Sequence, residues 1–398
     1  MYSRKFRLCY SEARKEISLR PWFFRMRIIL AIETEEFSMT IALSHGGGGT
    51  VVSSNEPSTR VLVGTLDGVK IVERGEAGWV STGHTLIGRH VHAIVLEPIS
   101  GLWFAGVRKG GVFVSADDGL TWEKRSDGLS DSDIYSLSTV VVDGKAMLYA
   151  GTEPANLFAS DDLGLSWTAL PGVKDAPTSE AWFFPAEPHV AHIKHISFEP
   201  GDSKTIYASV EVGALLRSRD SGQSWEELNG GLYMDVHRCI ITPAHPDRLY
   251  VTGGQGIWIS NDAGVTWENP FARGSEEGGY PDQLVFKPSD PDQMIVSAGR
   301  QSPGTWVKET AQARISRTRD GGKSWEVLSH HGLQDRFPHS VEAMTLEEAG
   351  DSVQIFAGTT GGAILYSEDG GESWDTVLRG LSPISKGGHY VAVVGQPA

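Results

Sequence analysis

The sequence predicts an all-β chain: a seven-bladed β-propeller of four-stranded antiparallel blades, its ring closed by pairing N- and C-terminal segments in one blade. Three observations predict it. Gly supplies 47 of 398 residues and Trp 12, so tight turns and large packing side chains recur together. The pattern Ser/Thr-x-Asp-x-Gly-x-x-Trp occurs six times, starting at Ser115, Ser160, Ser218, Ser260, Thr318 and Ser367. A degenerate seventh runs from Val72 to Trp79, and successive Trp residues lie 43, 45, 58, 42, 58 and 49 apart, a blade period with insertions.

Taken in order, residues 1–38 share nothing with the rest of the chain: the first 27 carry eight Lys/Arg against two Glu. They read as a disordered arm or an over-extended start, with initiation at Met26 or Met39, leaving 39–398 as a single propeller domain. Thr40 to Val52 reads as an extra strand or a strap, and Gly46 to Gly49, without the Lys-Ser/Thr of a phosphate loop, as flexible linker. Each later unit opens on an apolar-x-apolar-x-Pro strand, as at His92 to Pro98, Lys194 to Pro200, His237 to Pro243 and Gln283 to Pro288. A second strand comes next (Trp103 to Val107, Leu148 to Thr152, Ile206 to Val210, Leu249 to Thr252, Ile355 to Thr359), a third runs into the repeated turn, and a fourth leaves it. The unit at Val61 to Trp79 lacks a clear first strand, and His389 to Gly395 is a first strand with no repeat after it; together they complete one blade.

Within each repeat the Asp carboxylate accepts N–H bonds inside its own loop, Gly takes a positive φ and Trp buries a large face. These residues hold a hairpin and do no chemistry. The motif is the Asp-box, or BNR repeat, and residues 60 to 395 resemble the Asp-box propellers: sialidases and other glycosidases, sortilin-type receptors and photosystem II assembly factors. The resemblance implies the fold and leaves the activity open.

Composition excludes several function classes. Fifty acidic against 35 basic residues give a net charge of −15, which repels nucleic acid and anionic membrane surfaces. Cys9 and Cys239 form neither a disulfide framework nor a CxxC site. The apolar run Ile28 to Ile32 is too short for a signal core or a membrane span, so a cytoplasmic protein is expected.

The face bearing the starts of the first strands, here the top face, collects the unusual polar residues and the long insertions Pro171 to Pro188, Pro270 to Pro281 and Arg300 to Arg314. His90, His92, His192, His237 and His389 supply nitrogen ligands for one divalent ion (Zn, Mn, Fe or Ni), with Glu153 or Glu211 adding oxygen. The competing reading has these groups lining a solvated channel and satisfying one another. Alternation places His192 and His195 on opposite strand faces. Arg108, Arg238 and Arg300, with Gln255 nearby, offer bidentate recognition of an anionic substrate. Glu211, Glu153 and Tyr280 are the catalytic candidates; by the sialidase resemblance, Tyr135 or Tyr280 is the nucleophile and Asp133 the acid. That resemblance stops short of the details, because no Arg-Ile-Pro motif precedes the first blade and seven units exceed the sialidase six. By fold analogy, pectate-type lyases combine a His-held metal with acidic sugars. Trp182, Phe183, Phe184 and Trp306 read as loop anchors or as sugar platforms. The expected function is a metal-assisted hydrolase or lyase acting on a small anionic or carbohydrate-like ligand; the alternative is a non-catalytic scaffold or assembly factor binding a protein partner, with an exo-sialidase behind both.

Overall fold

A computed structural model of the chain describes residues 39–300, 302–303, 310–329 and 332–387. The arm 1–38, Trp306 and the strand expected at His389 to Gly395 lie outside the described residues. Seven sheets succeed one another in chain order. Blade 2 is Val91–Glu97, Leu102–Val107, Gly111–Ser115 and Glu123–Lys124; blades 3 to 6 repeat it from Asp133–Val142, His192–Glu199, Val236–Thr242 and Tyr280–Lys287. These blades and the last one, from Val341–Ala349, are antiparallel meanders from the channel outwards, as the repeat predicts.

Closure of the ring uses the N-terminal segment twice. Thr40–Leu43 takes the inner position of blade 1, parallel to Arg60–Thr65, and Val51–Ser54 adds to the inner edge of blade 7, parallel to Val341–Ala349. Both inner edges that an open ring would expose are thereby paired. At the same seam Leu66 N–H donates to Pro383 O at 3.0 Å and Ile384 packs with Ile41, Leu43 and Phe356, so the two ends of the described chain meet there.

Between those two strands the chain crosses the channel, so the expected strap exists. Ser44 Oγ accepts from Ile94 N–H, Gly46 N–H donates to His92 O, Gly48 N–H donates to Leu137 O, and Leu346 N–H donates to Thr50 O. The flexible-linker reading of Gly46 to Gly49 is thus corrected for its first three residues. A Cβ on Gly46 would lie 2.0 Å from Tyr135 O, on Gly47 2.6 Å from Ile94 O, and on Gly48 2.4 Å from Ser138 Oγ; only Gly49 faces open space. Glycine is required because the strap presses backbone against the first strands.

The core is distributed between neighbouring blades. Phe104, Ile134, Phe158 and Trp167 join blades 2 and 3, while Tyr149, Ile193, Ile206 and Leu216 join blades 3 and 4. The box tryptophans add ties across the seams: Trp167 Nε1–H donates to Arg125 O, Trp225 to Pro171 O and Trp267 to Leu228 O, each in the preceding unit. No described helix is long and apolar enough to cross a membrane.

Candidate functional site

The mouth of the channel is built by one backbone device used six times. In each of blades 2 to 7 the first strand carries one residue more than its partner near its start, between Val91 and Ala93, Ile134 and Ser136, Ile193 and His195, Val236 and Arg238, Pro281 and Leu284, and Val341 and Ala343. Such bulges re-aim side chains. The bulged residues are His92, Tyr135, Lys194, His237, Asp282 with Gln283, and Glu342, all buried at one level of the ring. Because the extra residue at Lys194 resets the alternation, His195 also lies in the channel, beside Gly48 and Thr50; the expectation of opposite faces for His192 and His195 fails for that reason.

Glu211 is the hub. Lys194 Nζ at 2.9 Å and Lys386 Nζ at 2.6 Å donate to its Oε1, and His192 Nε2 lies 2.6 Å from Oε2. Burial alone would raise its carboxyl; the two ammonium groups and His192 hold it well below the usual carboxylate range. Asp282 is held ionised against burial in the same way by Lys194, whose Nζ is 3.3 Å away; Arg238 Nε lies 3.6 Å from its other oxygen. Burial pushes the Lys194 ammonium down, against the pull of Asp282 and Glu211. Glu342 behaves oppositely: burial raises its carboxyl, although Ser385 Oγ–H and Lys386 N–H both donate to it. The strap closes this chamber from below, with Arg238 donating to His45 O and His45 Nδ1 3.0 Å from Glu342 O. Burial holds the His45 and His195 imidazoles well below their ordinary value, so both are neutral.

The predicted histidines fall into two groups. His90, His92, Tyr135 and His192 form a chain of ring contacts, edge-to-face at 4.0 and 4.6 Å for the first two pairs and stacked at 3.6 Å for Tyr135 on His192. His237 stands apart from it. Its Nδ1 lies 2.6 Å from Pro281 O, which fixes the proton there, and its Nε2 is 2.9 Å from Tyr280 Oη, 3.3 Å from Asp235 Oδ1 and 3.7 Å from Glu211 Oε1. Glu211, Asp235 and His237 place one ligand atom each within 4.8 Å of the others.

Above His237 a pocket of about 350 Å³ opens on the rim, lined by Phe184, Val212, Tyr233, Asp235, Arg273 and Tyr280 among others. Phe184 is buried against His192 and Lys386, so it anchors its insertion, whereas Phe183 beside it is exposed.

Comparison with known proteins agrees with this architecture. The family model described as "Sortilin, neurotensin receptor 3" matches residues 213–351. The chain is 26% identical over 272 residues to the photosystem II assembly lipoprotein Ycf48 of a Synechococcus species, covering 65% of this chain and 67% of that one. It is 24% identical over 291 residues to a xyloglucanase of Hypocrea jecorina, covering 63% of this chain but 32% of that protein. Among solved structures, the GH74 enzyme of Niastella koreensis superposes with a TM-score of 0.58 at 18% identity, over 85% of this chain and 55% of its own. Ycf48 bound to D1 peptide superposes with 0.53 at 16%, over 80% of this chain and 92% of its own. The chain is an Asp-box propeller. It spans about a third of the xyloglucanase relative's length and two thirds of the Ycf48 relative's.

In this propeller the sequence-predicted residues are partly gathered and partly dispersed. Glu211, His192 and His237 converge, and Glu153 Oε2 lies 3.5 Å from His192 Nδ1 on the outer side. Burial and the neighbouring Glu153 raise the Asp133 carboxyl, which has Arg108 Nε at 3.7 Å. The three arginines have three separate settings: Arg108 at Asp133, Arg238 buried in the channel, and Arg300 exposed and donating to Gln312 Oε1 at 2.9 Å. With these separate settings the expected anion clamp does not form around one partner. Gln255 sits in the blade 5 turn, where its carbonyl accepts from Arg273 N–H. His389 lies outside the described residues. The sequence reading does not reach Asp235, Arg273, Asp282, Glu342 or Lys386: the bulge register brings in Asp282 and Glu342, the return of residues 381–387 over the mouth brings in Lys386, and Asp235 and Arg273 lie on rim segments flanking blade 5, none of which leaves a local pattern.

Proposed function

We propose that this propeller is a recognition module that binds a protein partner across its top rim, its buried charges holding that face in shape rather than performing chemistry. Glu211 carries the reading. A general base needs a lone pair within reach of substrate and a pKa near the working pH. Both Glu211 oxygens are engaged by Lys194, Lys386 and His192, the group is fully buried, and its carboxyl is held far toward the ionised side. Below it, His45 and the strap close the channel, so a ligand meets the rim. The rim offers a partner surface: Phe183, Tyr233 and Met234 are 45, 42 and 38% exposed on two loops that each bond to the turn between them, through Phe183 N–H to Val212 O and Gly213 N–H to Met234 O. Support also comes from the relative named as an assembly lipoprotein and from the Ycf48 structure solved with a peptide, whose chain is matched over most of its length.

The test is site-specific photo-crosslinking in the source cells, from position 183 or 234 and, as control, from position 266 on the Asp-box face. A discrete adduct from the rim alone is expected. Sugar release from xyloglucan or acidic polysaccharides, abolished by Asp235→Asn, would overturn the reading.

One observation favours a second reading, metal-assisted hydrolysis or elimination on a small anionic or carbohydrate-like substrate. His237, anchored through Nδ1 as metal-bound histidines commonly are, turns Nε2 toward Asp235 and Glu211. A divalent ion there would compete with the two lysines on Glu211 Oε1. Elemental analysis of untagged protein decides: near-stoichiometric metal lost in Asp235→Asn supports this reading, and none after supplementation removes it.

A further inference from the structure

We propose that the rim pocket is a binding site for a free α-amino acid with an apolar or aromatic side chain, its ammonium set on Asp235 and its carboxylate on Arg273. The pocket, about 350 Å³, is of the size that encloses a small organic molecule. Among the described residues Asp235 and Arg273 are its only charged lining groups, of opposite sign. The lining thus offers one anionic and one cationic group to the same small volume, the pattern a small zwitterion matches.

Asp235 supplies the sharper observation. Its Oδ1 is buried and has no hydrogen-bond donor among the described residues, with His237 Nε2 3.3 Å away. That closed-off oxygen leaves the carboxylate charge short of donors within the fold. An ammonium in the pocket carries three donors and the opposite charge, and it meets the carboxylate at its outer oxygen, Oδ2, since Oδ1 is closed off beside His237. The carboxylate is held over the blade 5 turn: Gly254 N–H donates to Asp235 O at 2.9 Å, and a Cβ on Gly254 would lie 2.1 Å from Oδ2. Glycine at 254 therefore leaves the room in which the carboxylate sits. Arg273 is placed across the same turn, its guanidinium 3.4 Å from Gly254 O and 3.5 Å from Ser302 Oγ. A carboxylate is a stronger acceptor than either and matches the planar donor fork. The remaining walls, Phe184, Pro185, Val212, Tyr233 and Tyr280, are apolar or aromatic, which selects the ligand's side chain.

The proposal does not rest on a protein partner, and its test separates the two. Isothermal titration at pH 7 with EDTA present uses L-phenylalanine and L-leucine, with N-acetyl-L-phenylalanine and L-phenylalaninamide as probes that each lack one charge. Free amino acids should bind one per chain, and either capped form at least tenfold more weakly. Asp235→Asn should weaken phenylalanine at least tenfold while leaving the N-acetyl form unchanged; Arg273→Gln should do the same with the amide unchanged, both variants melting like the parent. Absence of binding by every probe overturns the site, even where the rim still crosslinks to a partner. Capped forms binding as tightly as free phenylalanine, or variants with unaltered affinity, overturn the two-point recognition.

Discussion

On the Asp-box face the same four hydrogen bonds recur in all six boxes, whereas at the mouth six equivalent bulges present His92, Tyr135, Lys194, His237, Asp282 and Glu342. In every box the Ser or Thr hydroxyl donates to Asp and accepts from the Gly N–H, and the residue before Trp returns both its N–H and its hydroxyl to the same Asp, as with Ser260, Asp262, Gly264 and Thr266. The partners lie within a few residues, the Asp carboxylates exposed or half-buried and the Ser or Thr hydroxyls buried beneath them. At the mouth the partners come from distant blades, Lys386 reaching Glu211 across 175 residues, and the groups are buried. One face is kept uniform by local geometry. The other is free to differ from blade to blade because the bulge, and not the side chain, carries the backbone requirement.

The largest effect that would break this comparison lies at Glu211. Glu211→Gln removes the charge that Lys194 and Lys386 share, leaving buried ammonium groups undercompensated, and should cost about 3–5 kcal/mol in urea unfolding. Adding Lys386→Met should return part of that loss. A cost under about 1 kcal/mol would mean that the mouth is no more tightly coupled than an exposed ion pair.

The same contrast explains what was legible in the sequence. Boxes could be read because donor, acceptor, glycine and tryptophan fall within eight residues, and their spacing then led to seven blades. Thr40 to Val52 could be read as a strap because strand-like alternation survives in it. Its glycines could not, since the crowding that demands them comes from Tyr135, Ile94 and Ser138 on remote strands. For the site, simple alternation found the histidine-bearing strand starts but missed the bulge, and with it the shared orientation of His192, Lys194 and His195 toward the channel. Arg300 was grouped with Arg108 and Arg238 by blade position alone; a long insertion breaks that equivalence.

A smaller effect sharpens the comparison. Alanine at the box hydroxyls Ser115, Ser160, Ser218, Ser260 and Ser367 leaves each Gly N–H without its acceptor and should cost about 1–2 kcal/mol per site, with little spread. Alanine at the six bulged positions should spread over several kcal/mol, because each removes a different partner. Equal spreads measured by urea unfolding would erase the distinction between a uniform face and an individual one.

The smallest effect is the pH dependence, where Glu342 at the mouth runs opposite in sign to the box carboxylates and to Glu211. Hydrogen bonds hold the Asp220, Asp262 and Asp320 carboxyls at about 2, led by Ser224, Thr266 and Ser324, and the lysines hold Glu211 low against burial. Each therefore contributes stability that is fully present above the ordinary carboxylate value and is lost as pH falls through the folded value. Glu342 runs the other way: burial raises its carboxyl, so its contribution is present below its ordinary 4.5 and lost as pH rises through the raised value. Urea midpoints measured from pH 2 to 8 should show Glu342→Gln flattening the decline above pH 4.5 while leaving the acid limb in place. Asp262→Asn should alter the acid limb alone. If Glu342→Gln leaves the slope above pH 4.5 unchanged, the chamber under the mouth holds Glu342 ionised, and Lys386 rather than burial sets its charge.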